Sequence, residues 1–243
     1  MMSKICGHRG AAHHKPENTI SGFEWCVENK IDWAECDVQL TNENSLLIIH
    51  DKTLERTSDD KGSIKKVLES DLNRINVGKL SEKDFYFQKI PTLTELLKFC
   101  KKTKLNLNIE MKFYEPNESC YTNRLIKELL KTIEFTDTQN QILITSFNID
   151  ALKILREESE SIPIGILYEK LPKNWKKDKI YLNAVSVHLD YRFITVKQLK
   201  EINLLSTKVF VYTCNDPDEI DTLWDAGLSG VITDDPLKFK FLF

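Results

Sequence analysis

Two residues able to move protons and grip anions stand side by side near the start of the chain. His8 and Arg9 lie between Gly7 and Gly10, directly after the apolar pair Ile5-Cys6. An imidazole titrates near neutrality and a guanidinium is a fixed planar cation, so together they suit chemistry on a phosphate ester. For this stretch alone, a turn with a buried, hydrogen-bonded His is the plain alternative. Glu35 and Asp37 repeat at a spacing of two, as do Glu110 and Lys112. In an extended strand that spacing puts both side chains on one face. Inward charges in apolar strands are costly unless paired or metal-bound. Three carboxylates converging on one mouth make a hard-oxygen site suited to one divalent cation, Mg²⁺ or Ca²⁺. The charges then close: three carboxylates and a divalent cation leave one negative charge, which Arg9, Lys112 and a phosphodiester monoanion bring to zero. His8 and His50 remain to transfer protons, and neither spacing nor neighbours say which is acid and which is base. Any one carboxylate could be a simple ion pair with Arg9 or Lys112, but that reading is weak for the whole set.

The elements that must position these residues follow from periodicity. Ile5-Cys6 leads a buried strand, and Pro16-Glu17-Asn18-Thr19 opens a helix reaching Lys30, with Asn18 or Thr19 as N-cap. Trp33 to Thr41 alternates as a strand, and Ser45 to Asp51 is a second extended run. A two-residue loop at Glu43-Asn44 would pair Asp37 with His50, whereas a slip of one residue would turn His50 away. Residues 52 to about 90 break the alternation and exceed an ordinary βα loop of ~2–6 residues. They read as a small insertion over the site, with Phe85, Tyr86 and Phe87 as possible wall or sealing residues. From Pro91 helices and strands alternate regularly, apart from a short crossover around Trp175. Eight strands alternating with helices, in 243 residues, predict one domain with a TIM (β/α)₈ barrel fold, whose active sites lie at the C-terminal strand ends.

Composition narrows the class. The net charge is −3 with both signs interspersed, so nucleic acid is not an expected partner. No apolar run approaches the ~20 residues of a membrane span, and no signal-peptide pattern opens the chain. The six cysteines are scattered without a C-x-x-C pair, as expected of reduced thiols in a cytoplasmic protein. His13 and His14 read as solvated loop residues, and His188 as a buried, hydrogen-bonded one.

The motifs H-R-G…P-E-N-T, E-C-D-V-Q-L-T, I-I-H-D-K-T-L-E-R-T, I-P-T-L, I-E-M-K, I-T-S-F and G-V-I-T-D-D-P run from Gly7 to Pro236. In combination and order they resemble the glycerophosphodiester phosphodiesterase family. That resemblance implies a TIM barrel with an insertion after the H-D segment, and metal-assisted hydrolysis of a small glycerophosphodiester to sn-glycerol 3-phosphate and an alcohol through a cyclic phosphate. By position it implies metal ligation by Glu35, Asp37 and Glu110, acid–base roles for His8 and His50, and phosphate contacts from Arg9 and Lys112. Glu17 is expected to orient Arg9 or a metal ligand, and Asp51 to orient His50 or form a turn. Phe147 and Tyr212 are expected against the substrate. Tyr212 stands where the family commonly has Trp, so its hydroxyl could alter the alcohol pocket. The rival readings are a lysophospholipase D-like or phosphoinositide-type enzyme, which would need an apolar docking surface, and a non-catalytic binding barrel.

Overall fold

The computed structural model describes residues 2–78, 87–115 and 119–240. In chain order its elements are β1 (Ile5–Gly7), α1 (Ile20–Glu28), β2 (Trp33–Leu40), β3 (Leu46–Ile48), α2 (Leu93–Thr103), β4 (Asn106–Met111), α3 (Ser119–Thr136), β5 (Ile142–Ser146) and α4 (Ile149–Glu158). They continue with β6 (Ile164–Tyr168), α5 (Trp175–Leu182), β7 (Ser186–Asp190), α6 (Val196–Asn203), β8 (Lys208–Tyr212), α7 (Asp221–Asp225), β9 (Gly230–Thr233) and α8 (Pro236–Phe239). Strand β1 pairs in parallel with both β2 and β9, and β2, β4, β5, β6, β7, β8 and β9 follow one another in parallel. Eight parallel strands thus close into the expected TIM barrel. Strand β3 is extra and lies antiparallel on β2.

Alternation along each strand divides the core in two. Ala34, Cys36 and Val38 of β2, Val187 and Leu189 of β7 and Val209 and Val211 of β8 face the helices. Met2, Cys6, Trp33, Leu143, Phe210 and Ile232 form a separate cluster, a plug inside the barrel. Helix starts follow local chemistry. Thr92 with Glu95, and Thr195 with Gln198, form reciprocal capping boxes, each satisfying two otherwise orphaned donors. The crossover around Trp175 is the helix α5, with Trp175 buried and Asp178 accepting the Tyr168 hydroxyl at 3.0 Å. The first helix begins after Thr19, one of the two expected N-caps, but without a capping hydrogen bond. Thr19 holds the N-cap position but gives its hydroxyl to the Pro16 carbonyl, and the Asn18 side chain points into the site.

The β2–β3 hairpin takes the slipped register. Val38 pairs with Ile48 and Leu40 with Leu46, one residue away from the pairing that would set Asp37 opposite His50. The slip does not carry His50 away, because β3 ends at Ile48 and the chain then bends around one side chain. The buried Gln39 amide lies 2.9, 3.1 and 2.7 Å from the carbonyls of Ile49, His50 and Asp51. A strand's strict alternation stops applying where its ladder stops.

Residues between β3 and α2 leave and return at one place: Asp51 lies just past the end of β3, and the Pro91 carbonyl accepts the Ile48 N–H at 2.9 Å. The segment carries its own core, with Leu54, Ile64, Leu72, Ile75 and Ile90 packed on Leu47 and Ile49. Phe85 and Tyr86 lie outside the described residues. Phe87 is exposed and does not line the barrel-mouth cavity.

His188 is fully buried in the barrel, with Nε2 2.8 Å from Ser186 Oγ and its ring against Phe210. It is the buried, hydrogen-bonded His expected from sequence, and burial pulls its pKa down to about 3. Below about pH 6.5 an unfolded chain protonates this imidazole and the folded one does not, so stability falls as pH drops from there toward 3. In His188→Gln, the urea midpoint should therefore decline less between pH 6.5 and pH 4 than in the parent. An equal decline would show that another group carries the linkage.

Candidate active site

The C-terminal ends of the strands surround a cavity of about 220 Å³ lined by His8, Arg9, Glu35, His50, Glu110, Lys112, Phe147 and Tyr212, among others. Asp37 lies beneath it, almost fully buried. A neighbouring recess of about 350 Å³ shares Glu110, Lys112 and Phe147 and opens toward Tyr114 and Asn148.

The first turn sets His8 and Arg9 through its backbone. A Cβ on Gly7 would fall 1.9 Å from the Gly10 carbonyl oxygen, and Gly10 has φ +89°. Both positions require glycine, here for the close approach of backbone to backbone. Arg9 itself sits at φ 50°, which directs its N–H onto Glu35 Oε2 at 2.8 Å. The guanidinium reaches Asp37 Oδ2 at 3.4 Å and Glu17 Oε1 at 2.8 Å. Across the mouth, Lys112 Nζ lies 2.7 Å from Glu110 Oε1 and 3.6 Å from Asp37 Oδ1.

Glu35, Asp37 and Glu110 come together as expected. Asp37 is directly opposite Glu110 in the β2–β4 ladder, and one ligand oxygen from each of the three lies within 4.8 Å of the others. Burial pushes Glu35 up to about 8, with Asp37 adding to it, and burial also raises Glu110. Burial pushes Asp37 the same way, but Lys112 and Arg9 outweigh it and hold this carboxyl below the usual range. Glu35 Oε1 is buried with no hydrogen-bond partner among the described residues. An orphaned carboxylate oxygen beside two more carboxylates, short of positive charge, fits a hard divalent cation.

Each cavity histidine is tied at Nδ1. His8 Nδ1 is 2.7 Å from Asp234 Oδ1, and His50 Nδ1 is 2.7 Å from Asp51 Oδ1. Such a bond fixes the ring and leaves Nε2 for chemistry. The environments of the two differ. Burial pulls His8 down, but the Asp234 bond and the Glu35 charge outweigh it and its pKa is raised. For His50 burial, Lys112 and Arg9 together exceed the pull of Asp37 and Asp51, and its pKa is lowered.

Four residues were not expected to act in the site. Asp234 belongs to the G-V-I-T-D-D-P motif and is itself held by Asn215 Nδ2 at 2.8 Å. Its signal was a carboxylate at a strand end, the same one that marked the others. Arg56 bonds Glu17 and Asp51. Gln39 bends the chain at His50, and Asn18, at φ 56°, clamps Asp37 with Nδ2 on Oδ2 at 2.9 Å and Oδ1 on the backbone N–H at 3.2 Å. Tyr212 lies edge-on to Phe147 at 5.8 Å. Its hydroxyl is already given to the Tyr168 carbonyl at 3.0 Å, so the ring serves as an apolar wall. His14 is not a plain loop residue: it stacks on Trp25 at 4.1 Å and meets Asp235 at 2.8 Å. His13 is largely exposed.

Comparison with known proteins decides what this arrangement belongs to. The profile of the glycerophosphoryl diester phosphodiesterase family matches residues 8–238. The chain belongs to that family. It is 30% identical over 238 residues to a glycerophosphodiester phosphodiesterase of Caldanaerobacter subterraneus subsp. tengcongensis, covering 97% of this chain and 96% of the relative. The solved structure of an Oleispira antarctica phosphodiesterase in complex with the product sn-glycerol-3-phosphate superposes with a TM-score of 0.92 at 26% identity, covering 99% and 96% of the two chains. The structure of a putative glycerophosphoryl diester phosphodiesterase from Silicibacter pomeroyi, 19% identical, shares the fold at a TM-score of 0.90, covering 99% and 92% of the two chains. Membership makes the protein a phosphodiester hydrolase, and its motifs fall on the residues that meet at the barrel mouth. No described helix is long and apolar enough to cross a membrane.

The Asn18 clamp is testable apart from its backbone. Asn18→Gly keeps a residue that tolerates positive φ but strips Asp37 of two buried hydrogen bonds. It should lower stability by roughly 1–3 kcal/mol in urea denaturation and reduce turnover. A variant as stable as the parent would show that water or another side chain replaces the amide.

Proposed function

We propose that the protein hydrolyses glycerophosphodiesters to sn-glycerol 3-phosphate and an alcohol, using a divalent cation held by Glu35, Asp37 and Glu110. The observation that carries this reading is the convergence of those carboxylates between two imidazoles, each with Nδ1 held by its own carboxylate. The sn-glycerol-3-phosphate bound in the Oleispira relative supports the product half. A bound cation, Mg²⁺ or Ca²⁺, supplies Lewis-acid polarisation of the phosphoryl oxygens.

The chain's own groups do the rest. Arg9 and Lys112 bind the phosphate and offset the charge that develops on it. His50, whose surroundings favour the neutral ring, takes the proton from the oxygen that attacks phosphorus. His8, whose surroundings favour the imidazolium, gives a proton to the leaving alkoxide as its P–O bond breaks; where the attacking oxygen is the substrate's own glycerol hydroxyl, water then opens the cyclic phosphate to sn-glycerol 3-phosphate with the two imidazoles in exchanged roles. Phe147 and Tyr212 form an apolar wall beside the leaving alcohol. The site acts on a soluble diester and, with no stable membrane insertion, needs no second macromolecule. One domain carries the whole reaction.

Four outcomes test this. Chelation should abolish activity, and Glu110→Gln should lower cation affinity and turnover together. Because Glu35 is raised to about 8, cation affinity should climb from pH 6 to 8 and calorimetry near pH 7 should register proton release. Full activity in thorough chelator would sink the metal role.

His8→Ala and His50→Ala should each cost roughly 10²–10⁴ in turnover of a choline or ethanolamine diester. On a nitrophenyl ester, whose phenolate leaves unaided, His8→Ala should recover much of its rate and His50→Ala should not. The opposite pattern would exchange the roles, and equal recovery would refute the division.

A further inference from the structure

Both arms of the proposed site lead outward to one guanidinium that lines no part of the cavity. Arg56 Nη2 donates to Glu17 Oε1 at 2.8 Å and to Asp51 Oδ1 at 2.9 Å. Each acceptor is shared with a residue of the cavity wall. The same Glu17 Oε1 takes Arg9 Nη1 at 2.8 Å, and the same Asp51 Oδ1 meets His50 Nδ1 at 2.7 Å. The remaining donors complete two forks: Nη1 on Glu17 Oε2 at 2.7 Å and Nε on Asp51 Oδ2 at 2.6 Å. One planar group thus bridges two carboxylates edge to edge.

An exposed ion pair usually contributes little, because it costs side-chain entropy and is screened. Arg56 is 47% exposed, so its charge alone would not carry an argument. Its geometry and mounting do. The bidentate contact on each side fixes angle as well as distance. The residue sits in a loop closed by Leu54 N–H on the Gly62 carbonyl at 3.0 Å and Ile64 N–H on the Lys52 carbonyl at 3.1 Å. Leu54 roots that loop in the segment's own core. Glu17 comes from the turn after β1 and Asp51 from the end of the hairpin, and Arg56 joins the two turns directly at the carboxylates that hold Arg9 and His50.

We propose that Arg56 is a positioning residue that sets Arg9 and His50 in one shared geometry, through Glu17 on one side and Asp51 on the other. The role rests on the reading of Arg9 as phosphate grip and His50 as proton acceptor. It assigns a task to the segment between β3 and α2: holding a clamp across the back of two site residues.

The test uses the full-length enzyme with saturating cation, assayed well below its melting temperature. Arg56→Met should lower kcat/KM on a glycerophosphodiester by roughly 10–100-fold. It should also weaken calorimetric binding of sn-glycerol 3-phosphate, and leave cation affinity within about twofold. Arg56→Lys should restore only a small part, since an ammonium cannot fork onto two carboxylates. Glu17→Gln and Asp51→Asn should be less than multiplicative together when Arg56 is present, and multiplicative in Arg56→Met. Three results would overturn the proposal: full activity and product binding in Arg56→Met, full rescue by Lys, or multiplicative effects in both backgrounds. If the parent binds sn-glycerol 3-phosphate but cleaves no glycerophosphodiester, the functional reading fails instead, and product binding across the same variants still decides whether Arg56 sets Arg9.

Discussion

Three carboxylates, Glu35 and Asp37 buried and Glu110 partly so, gather at one end of the barrel, and the rest of the site answers to that fact. Charges at this depth are stable only when matched by opposite charge and hydrogen bonds. Arg9 and Lys112 approach the cluster from opposite sides and Asn18 clamps Asp37, while Glu35 Oε1 has no hydrogen-bond partner among the described residues. The cluster is therefore incompletely neutralised by the protein itself. That incompleteness suits the cluster to positive charge, and with a divalent cation bound the proposed site would be net positive and suited to a phosphodiester.

The two imidazoles have one design and two environments. Each rests Nδ1 on a carboxylate at 2.7 Å, so orientation is solved in the same way twice. The difference lies in what surrounds them. His8 stands beside Glu35, and His50 stands nearer the influence of Lys112 and Arg9. A pair of titratable groups pushed apart by their neighbours is the arrangement that divides acid from base duties at one pH.

What was legible in the sequence follows from what is local. The period-two pairs Glu35/Asp37 and Glu110/Lys112 were readable because a barrel strand alternates strictly. The eight-strand rhythm was readable because each helix had its own apolar stripe and often its own cap. Arg9, Lys112, Glu17 and Asp51 lie where the motifs placed them. The hairpin register was not readable, because Glu43-Asn44 allows more than one loop and the deciding contact is the Gln39 amide, three side-chain bonds to a bend with no pattern of its own. Asn18 looked like a helix cap because its residue type caps helices, and only the tertiary position of Asp37 redirects it. Arg56 lies in a stretch without periodicity, and its partners are 39 and 5 residues away in the chain.

The barrel separates stability from reactivity along its axis. The plug of Met2, Trp33, Leu143 and Phe210 lies around the N-terminal ends of the strands, and His188 packs on Phe210. Burial keeps His188 neutral there. A few residues further along the same parallel strands, the side chains are ionisable and their geometry is set from outside the barrel, by Asn18, Glu17, Arg56 and Asp234. Strand alternation can aim a carboxylate inward but cannot fix its rotamer. That last degree of freedom is removed by the turns after β1 and β9 and by the long segment after β3. The loops are therefore not covers on a finished site: they complete it, which is why the longest of them needs a small core of its own.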